Sequence, residues 1–216
     1  MPEAPHVTTV PYYAQWESPE LVAEIVSGRL PAQRDPNWPK SGAATPDDYA
    51  YWSWRLCGMA CLRMALDHWR GTAPPPVSLA QECQEAGAYV RHEDGRLDGL
   101  IYAPFAVHAR DRWGLGAESR PVLSPREVRA HLASGGLAML SVHPSLRTLD
   151  SLRTSDPAPP HRGGHLVLAV AADDVHLYVH NPSGFPGESQ RAFAVPWPEL
   201  DRYYAGRGVL LADRAL

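Results

Sequence analysis

The chain is poor in cysteine and nearly devoid of lysine. Its three cysteines, Cys57, Cys61 and Cys83, are an odd number spread over 216 residues. That excludes a disulfide scaffold and fits a reducing compartment. Lys40 is the only lysine, so the basic residues are almost all arginine; we read this as composition rather than function. Runs of one charge sign are missing and the formal net charge is only -4. Nucleic acid as a partner therefore has no electrostatic support. No apolar stretch approaches the ~20 residues of a membrane span. The first residues, Met1 to His6, lack the basic-then-apolar pattern of a secretory signal. The expectation is a cytoplasmic protein with no membrane partner.

What is present is an ordinary apolar fraction, 44%, in a length that suits one domain. Residues 7–15 read as a short opening strand. Ser18-Pro19-Glu20 reads as a helix start, with Leu21, Val22, Ile25 and Val26 on one face. Residues 31–46 are rich in Pro, Asp and Asn and predict an irregular loop, followed by a short helical turn carrying Tyr49, Trp52 and Trp54. The strongest helix is 57–69, with Ala60, Cys61, Met64, Ala65 and Leu66 at helical spacing and Gly71 as its stop. Further helices are expected at 78–86 and 97–113, and after the capping-box pattern Ser124-Pro125-Arg126-Glu127. The period then changes to two, predicting strands at 137–142, 165–172, 175–180, 190–195 and 208–212. Helices first and an antiparallel sheet second is an α+β pattern in one domain, 1–216, helical over about 1–136 and sheet-forming over about 137–216. The aperiodic stretch 144–163, just before a histidine, reads as a long loop and candidate lid.

Three residues far apart in the chain carry the chemistry. Cys57 opens the strongest helix, where exposed N–H groups and the helix dipole favour a thiolate. His165 opens an apolar strand after Gly163-Gly164, and Asn181 lies in the turn His180-Asn181-Pro182-Ser183. A hairpin through Asp173-Asp174 brings the histidine and the asparagine to the same end of adjacent strands. A thiol, an imidazole and an amide are what nucleophilic acyl transfer requires. Gln15 can supply an amide donor which, with the Cys57 backbone N–H, would stabilise an oxyanion. Gly58 would allow a substrate backbone to approach, Gly164 flanks the histidine, and Trp16 and Trp54 could wall a peptide groove. Cys61 and Cys83 read as core.

These residues are similar to those of the papain-like cysteine peptidases of the bacteriocin-processing, double-glycine-leader group, in stand-alone form. The matching segments are Val10-Pro11 with Gln15, Cys57-Gly58-Met59-Ala60-Cys61-Leu62, Gly164-His165 and Asn181-Pro182, with Trp197 as the late tryptophan. The resemblance implies a papain-like fold, its nucleophile helix packed on an antiparallel sheet. It implies Cys57, His165, Asn181 and Gln15 as catalytic residues and no cofactor. Leu56 stands where the family usually has Asp, and Asn181 is the papain-type alternative to a third-residue Asp. The Gln15-to-Cys57 stretch is longer than usual.

The function expected is hydrolysis of a peptide or small amide through a thioester on Cys57. Transfer of the acyl group to an amine, and a non-catalytic peptide-binding domain, remain as alternatives. A metal site among His143, His161, His165, His176 and His180 lacks the ligand spacing that zinc requires.

Overall fold

A computed structural model of the chain, describing residues 9–151 and 159–214, places five helices before the first strand. They are α1 (Val22–Val26), α2 (Pro46–Ser53), α3 (Cys57–Arg70), α4 (Pro76–Glu85) and α5 (Tyr102–Trp113). Then follow β1 (Gly116–Arg120), α6 (Pro125–Ala133), β2 (Leu137–Val142), β3 (His165–Ala172), β4 (His176–His180), β5 (Phe193–Pro196), α7 (Trp197–Tyr203) and β6 (Tyr204–Ala212). The strands form one antiparallel sheet in the order β1-β6-β2-β3-β4-β5. The architecture is α+β.

Alternation along the strands builds two cores. Leu137 and Met139 of β2, with Leu166 and Leu168 of β3, face the helical half. Ala138, Leu140, Val167 and Ala169 face the other way, under Val128 of α6 and Leu200 of α7. Because both faces are covered, every residue of β2 is buried. Each fully buried Leu or Met in these layers contributes roughly 1.5–3 kcal/mol. The helix stops follow local chemistry. Gly71 closes α3 with φ 63°, and Ser124 and Glu127 form the expected reciprocal capping box.

Several expectations are corrected. Residues 10–15 pair with no strand, while 7–8 lie outside the described residues. Ser18 does not cap: its hydroxyl donates to Asp35 Oδ1 at 2.5 Å. Asp35 is a buried anchor for the irregular segment, also accepting from Asn37 N at 2.9 Å and Tyr49 Oη at 2.6 Å. Helix α5 begins at Tyr102 rather than 97, because Leu97 bridges to Arg91. β1 and α7 were not expected, and α6 and α7 form a second helical layer behind the sheet. Part of the 144–163 loop is a 3₁₀ segment, Pro144–Ser151; residues 152–158 lie outside the described residues, and with them the middle of the candidate lid. Among the described residues no helix is long and apolar enough to cross a membrane.

Residues 10–15 are clamped to the end of β4 and the turn that follows it. Gln15 N–H donates to Pro182 O at 2.8 Å, Tyr12 Oη to Asn181 O at 3.0 Å, and His180 Nε2 to Val10 O at 2.9 Å. Glu17 meets Arg63 of α3 at 2.7 Å, with both side chains nearly buried. These contacts bring the start of the chain, α3 and the end of β4 together.

Candidate active site

Helix α3 starts at Cys57 without a side-chain cap, so its first N–H groups are free to face whatever lies at its mouth. Cys57 is partly exposed, whereas Cys61 and Cys83 are buried. Burial of the Cys57 sulfur pushes its thiol up, and the backbone N–H groups of Leu166, Gly58 and Cys57 itself oppose this only in part. The expected thiolate preference is thus corrected. The helix start acts in the anticipated direction, but desolvation outweighs it.

Strand β3 begins directly after Gly163 and Gly164, whose φ values are 93° and 94°. Only glycine adopts such conformations at little cost. His165 follows, 5% exposed. Its Nε2–H donates to Asn181 Oδ1 at 2.9 Å. The Ser183 backbone N–H donates to the same oxygen at 3.1 Å, which assigns the amide orientation, since an N–H needs an acceptor there. Ser183 Oγ lies 3.0 Å from Nε2 as well. The Nε2 side of the ring is therefore occupied, which leaves Nδ1 as the available base nitrogen. Burial holds His165 down to about 4, against the upward pull of the Asn181 hydrogen bond, and the nearby Arg147 charge adds to the depression. Asn181 Nδ2 is buried with no partner among the described residues.

Cys57 and His165 open onto one cleft of about 220 Å³, together with Gly164, Leu166, Gly99, Leu100, Tyr102, Ser141, Arg55 and Arg207. Of the residues singled out in the sequence, Cys57, His165 and Gly164 line this cleft. Asn181 stands directly behind the histidine. Gln15 does not line it; it is buried beside the Asn181-Pro182 turn, and its side-chain amide bonds to none of the described residues. Gly58 is corrected: a Cβ there would sit 2.7 Å from Leu100 Cδ2 and 3.2 Å from Leu166 Cδ1. The glycine lets Leu100 and Leu166 of the cleft lining pack close against α3. Trp16 is also corrected, being 1% exposed and hence core, while Trp54 packs edge-on against it and is 48% exposed. Sequence reasoning missed Ser183, Arg55, Arg207, Tyr102 and Ser141. Only Ser183 had a signal, its place two residues past the asparagine.

The other histidines have their own roles. His180 accepts from Ala192 N–H at Nδ1 while donating to Val10 O. His143 stacks edge-on with His161 at 4.7 Å. Among the described residues, no group of three or more His, Cys, Asp or Glu could hold a metal ion.

No protein-family model matches the chain, and no curated protein matches it in sequence. Solved structures do. A putative C39-like peptidase from Bacillus anthracis is 15% identical with a TM-score of 0.52, over 75% of this chain and 90% of that one. The peptidase domain of Streptococcus ComA, a bi-functional ABC transporter involved in a quorum-sensing pathway, is 14% identical with a TM-score of 0.47, over 73% and 91%. A double-glycine-motif protease from an AMS/PCAT transporter, solved with a leader peptide, is 16% identical with a TM-score of 0.45, over 72% and 83%. The helical half, the antiparallel sheet and the first of these likenesses together give the chain the papain-like fold of the C39-like cysteine peptidases.

Proposed function

We propose that the chain is a thiol-dependent hydrolase that cleaves a peptide or small amide bond through a thioester on Cys57. One observation carries this reading. Cys57 and His165 share a cleft while Asn181 holds the far side of the imidazole at 2.9 Å. The thiol is high and the imidazole low, so the resting pair is neutral. Cys57 Sγ attacks the carbonyl carbon as its proton passes to His165 Nδ1. The oxyanion meets the Cys57 backbone N–H, and the Gln15 amide, which bonds to none of the described residues, is the proposed second donor once it turns toward the cleft. Collapse breaks the C–N bond, and His165 returns the proton to the leaving amine. Water then hydrolyses the thioester. A working thiol needs a reducing compartment, and the cytoplasm is the setting we propose.

The test is a screen of peptide and amide substrates against wild type and Cys57→Ala, with iodoacetamide alkylation of each thiol followed by mass spectrometry. Cys57 should react at neutral pH far faster than Cys61 or Cys83, and His165→Ala should slow it. Equal rates at all three thiols would remove the nucleophile from this account.

A further inference from the structure

We propose that the cleft wall beside Cys57 is a carboxylate-binding subsite formed by Arg55 and Arg207 with Tyr102 and Ser141, and that the substrate carries a carboxylate within about a residue of the scissile amide. This rests on Cys57 being the nucleophile.

The lining of the cleft includes two arginines and no acidic residue. Some arginines elsewhere meet carboxylates, such as Arg63 with Glu17 and Arg129 with Asp174, while others meet a backbone carbonyl or an aromatic ring, as Arg110 and Arg91 do. Arg55 and Arg207 have no carboxylate partner among the described residues. Arg55 is held by its Nε–H, which donates to Leu97 O at 3.3 Å, so its terminal nitrogens remain for a ligand. The Tyr102 phenol faces both the Arg207 guanidinium and the Ser141 hydroxyl. Gly163 lets this wall close up: a Cβ there would lie 2.9 Å from Ser141 Oγ and 3.3 Å from an Arg207 terminal nitrogen. A third cation, Arg147, lies near enough to His165 to act on its charge. Guanidinium forks match a carboxylate in shape and charge, and two hydroxyls add further donors. At about 220 Å³ the cleft is smaller than the ~300–1,000 Å³ of sites for drug-sized ligands. It suits one small acidic residue or a terminal carboxylate.

Iodoacetate and iodoacetamide test this without a known substrate, since they differ in little but the carboxylate. In both cases a C–S bond forms at Cys57, the C–I bond breaks, iodide leaves and the thiol proton passes to the base. The readout is the ratio of the iodoacetate rate to the iodoacetamide rate at Cys57. Wild type should exceed the Arg55→Gln, Arg207→Gln double variant by about tenfold, the low end of enrichment by a charged cleft. The exposed Arg207→Gln change alone should give part of that loss, and Arg207→Lys should restore most of it. Arg126→Gln, on α6 behind the sheet and outside the cleft lining, should leave the ratio unchanged. The same ratio in wild type and in Arg207→Gln overturns the subsite while leaving the nucleophile standing. Failure of the nucleophile shows separately, as equal iodoacetamide rates at the three cysteines. Peptide pairs then locate the carboxylate. Loss of turnover on exchanging Glu for Gln assigns a side chain, and loss on amidating the C-terminus assigns the α-carboxylate. Equal turnover across both pairs overturns the proposal.

Discussion

Asn181 Oδ1 accepts from His165 Nε2 at 2.9 Å, from Ser183 N at 3.1 Å and, at a longer 3.4 Å, from Ser183 Oγ. The second donor fixes the amide, and the amide fixes the ring. Asn181→Ala should therefore act twice. Rate should fall, by less than the roughly 10²–10⁴-fold expected for loss of a general base in His165→Ala. Stability should drop by about 1–3 kcal/mol, because the Ser183 N–H is left buried and unpaired. Steady-state rates and urea midpoints of both variants check the two effects. Asn181→Asp should keep activity and move its acid limb to higher pH, since a carboxylate beside the ring favours imidazolium.

The depressed histidine gives a signed pH dependence. His165 sits at about 4 in the folded chain and at about 6.5 unfolded. Between those values the unfolded chain binds more protons. Stability is thus fully present above pH ~6.5, falls as pH drops and has lost this contribution below pH ~4, on the order of 3 kcal/mol. His180, also lowered by burial, acts in the same direction. Glu127 and Asp173, each held near about 2 by local hydrogen bonds, lose their contribution only below about pH 4.5, so the window above that isolates the histidines. Urea midpoints from pH 7 to 4.5 should decline in wild type and decline less steeply in His165→Gln, where His180 still contributes. Parallel slopes would count against the burial argument.

Gly163 and Gly164 share a positive φ but differ in their surroundings. An alanine Cβ at 164 meets nothing within 4 Å, whereas at 163 it meets Ser141 Oγ at 2.9 Å and Ala205 Cβ at 3.3 Å. Gly164→Ala should cost about 1–2 kcal/mol from backbone strain alone. Gly163→Ala should cost more, through strain plus overlap. Thermal denaturation of the two single variants would reveal the order, and the reverse order is the failing result.

Asp35 is buried and accepts from Ser18, Asn37 and Tyr49. Asp35→Ala orphans several of these donors at once, so a loss of about 3 kcal/mol or more is expected. Far-UV circular dichroism during urea titration measures it. A change below about 1 kcal/mol would mean that solvent replaces the carboxylate.

Much of this arrangement was legible in residues whose partners are near in sequence. The α3 stripe, the Ser124–Glu127 box and the β3–β4 hairpin each follow from local periodicity or chemistry. What stayed hidden depends on distant partners. The β1 sequence, Gly-Ala-Glu-Ser-Arg, is a polar edge with no alternating signal, and it pairs only because β6 arrives ninety-odd residues later. Residues 10–15 alternate like a strand, yet Val10, Tyr12 and the Gln15 N–H bond to residues 180–182 and Tyr13 to Asp67 instead of to a ladder. Gly58 and Trp16 could be assigned to a groove only while Leu100 and the core were out of view. Arg55 and Arg207 come to one wall through topology, which no spacing encodes.

The clasp between the opening segment and the Asn181-Pro182 turn also orders events in time. A ribosome-bound chain displays its thiol early, on a helix with neither imidazole nor carboxamide beside it. The histidine strand, the turn and the clasp are all translated later. The thiol therefore meets its proposed base only after the segments that carry residues 165 and 181 have been made.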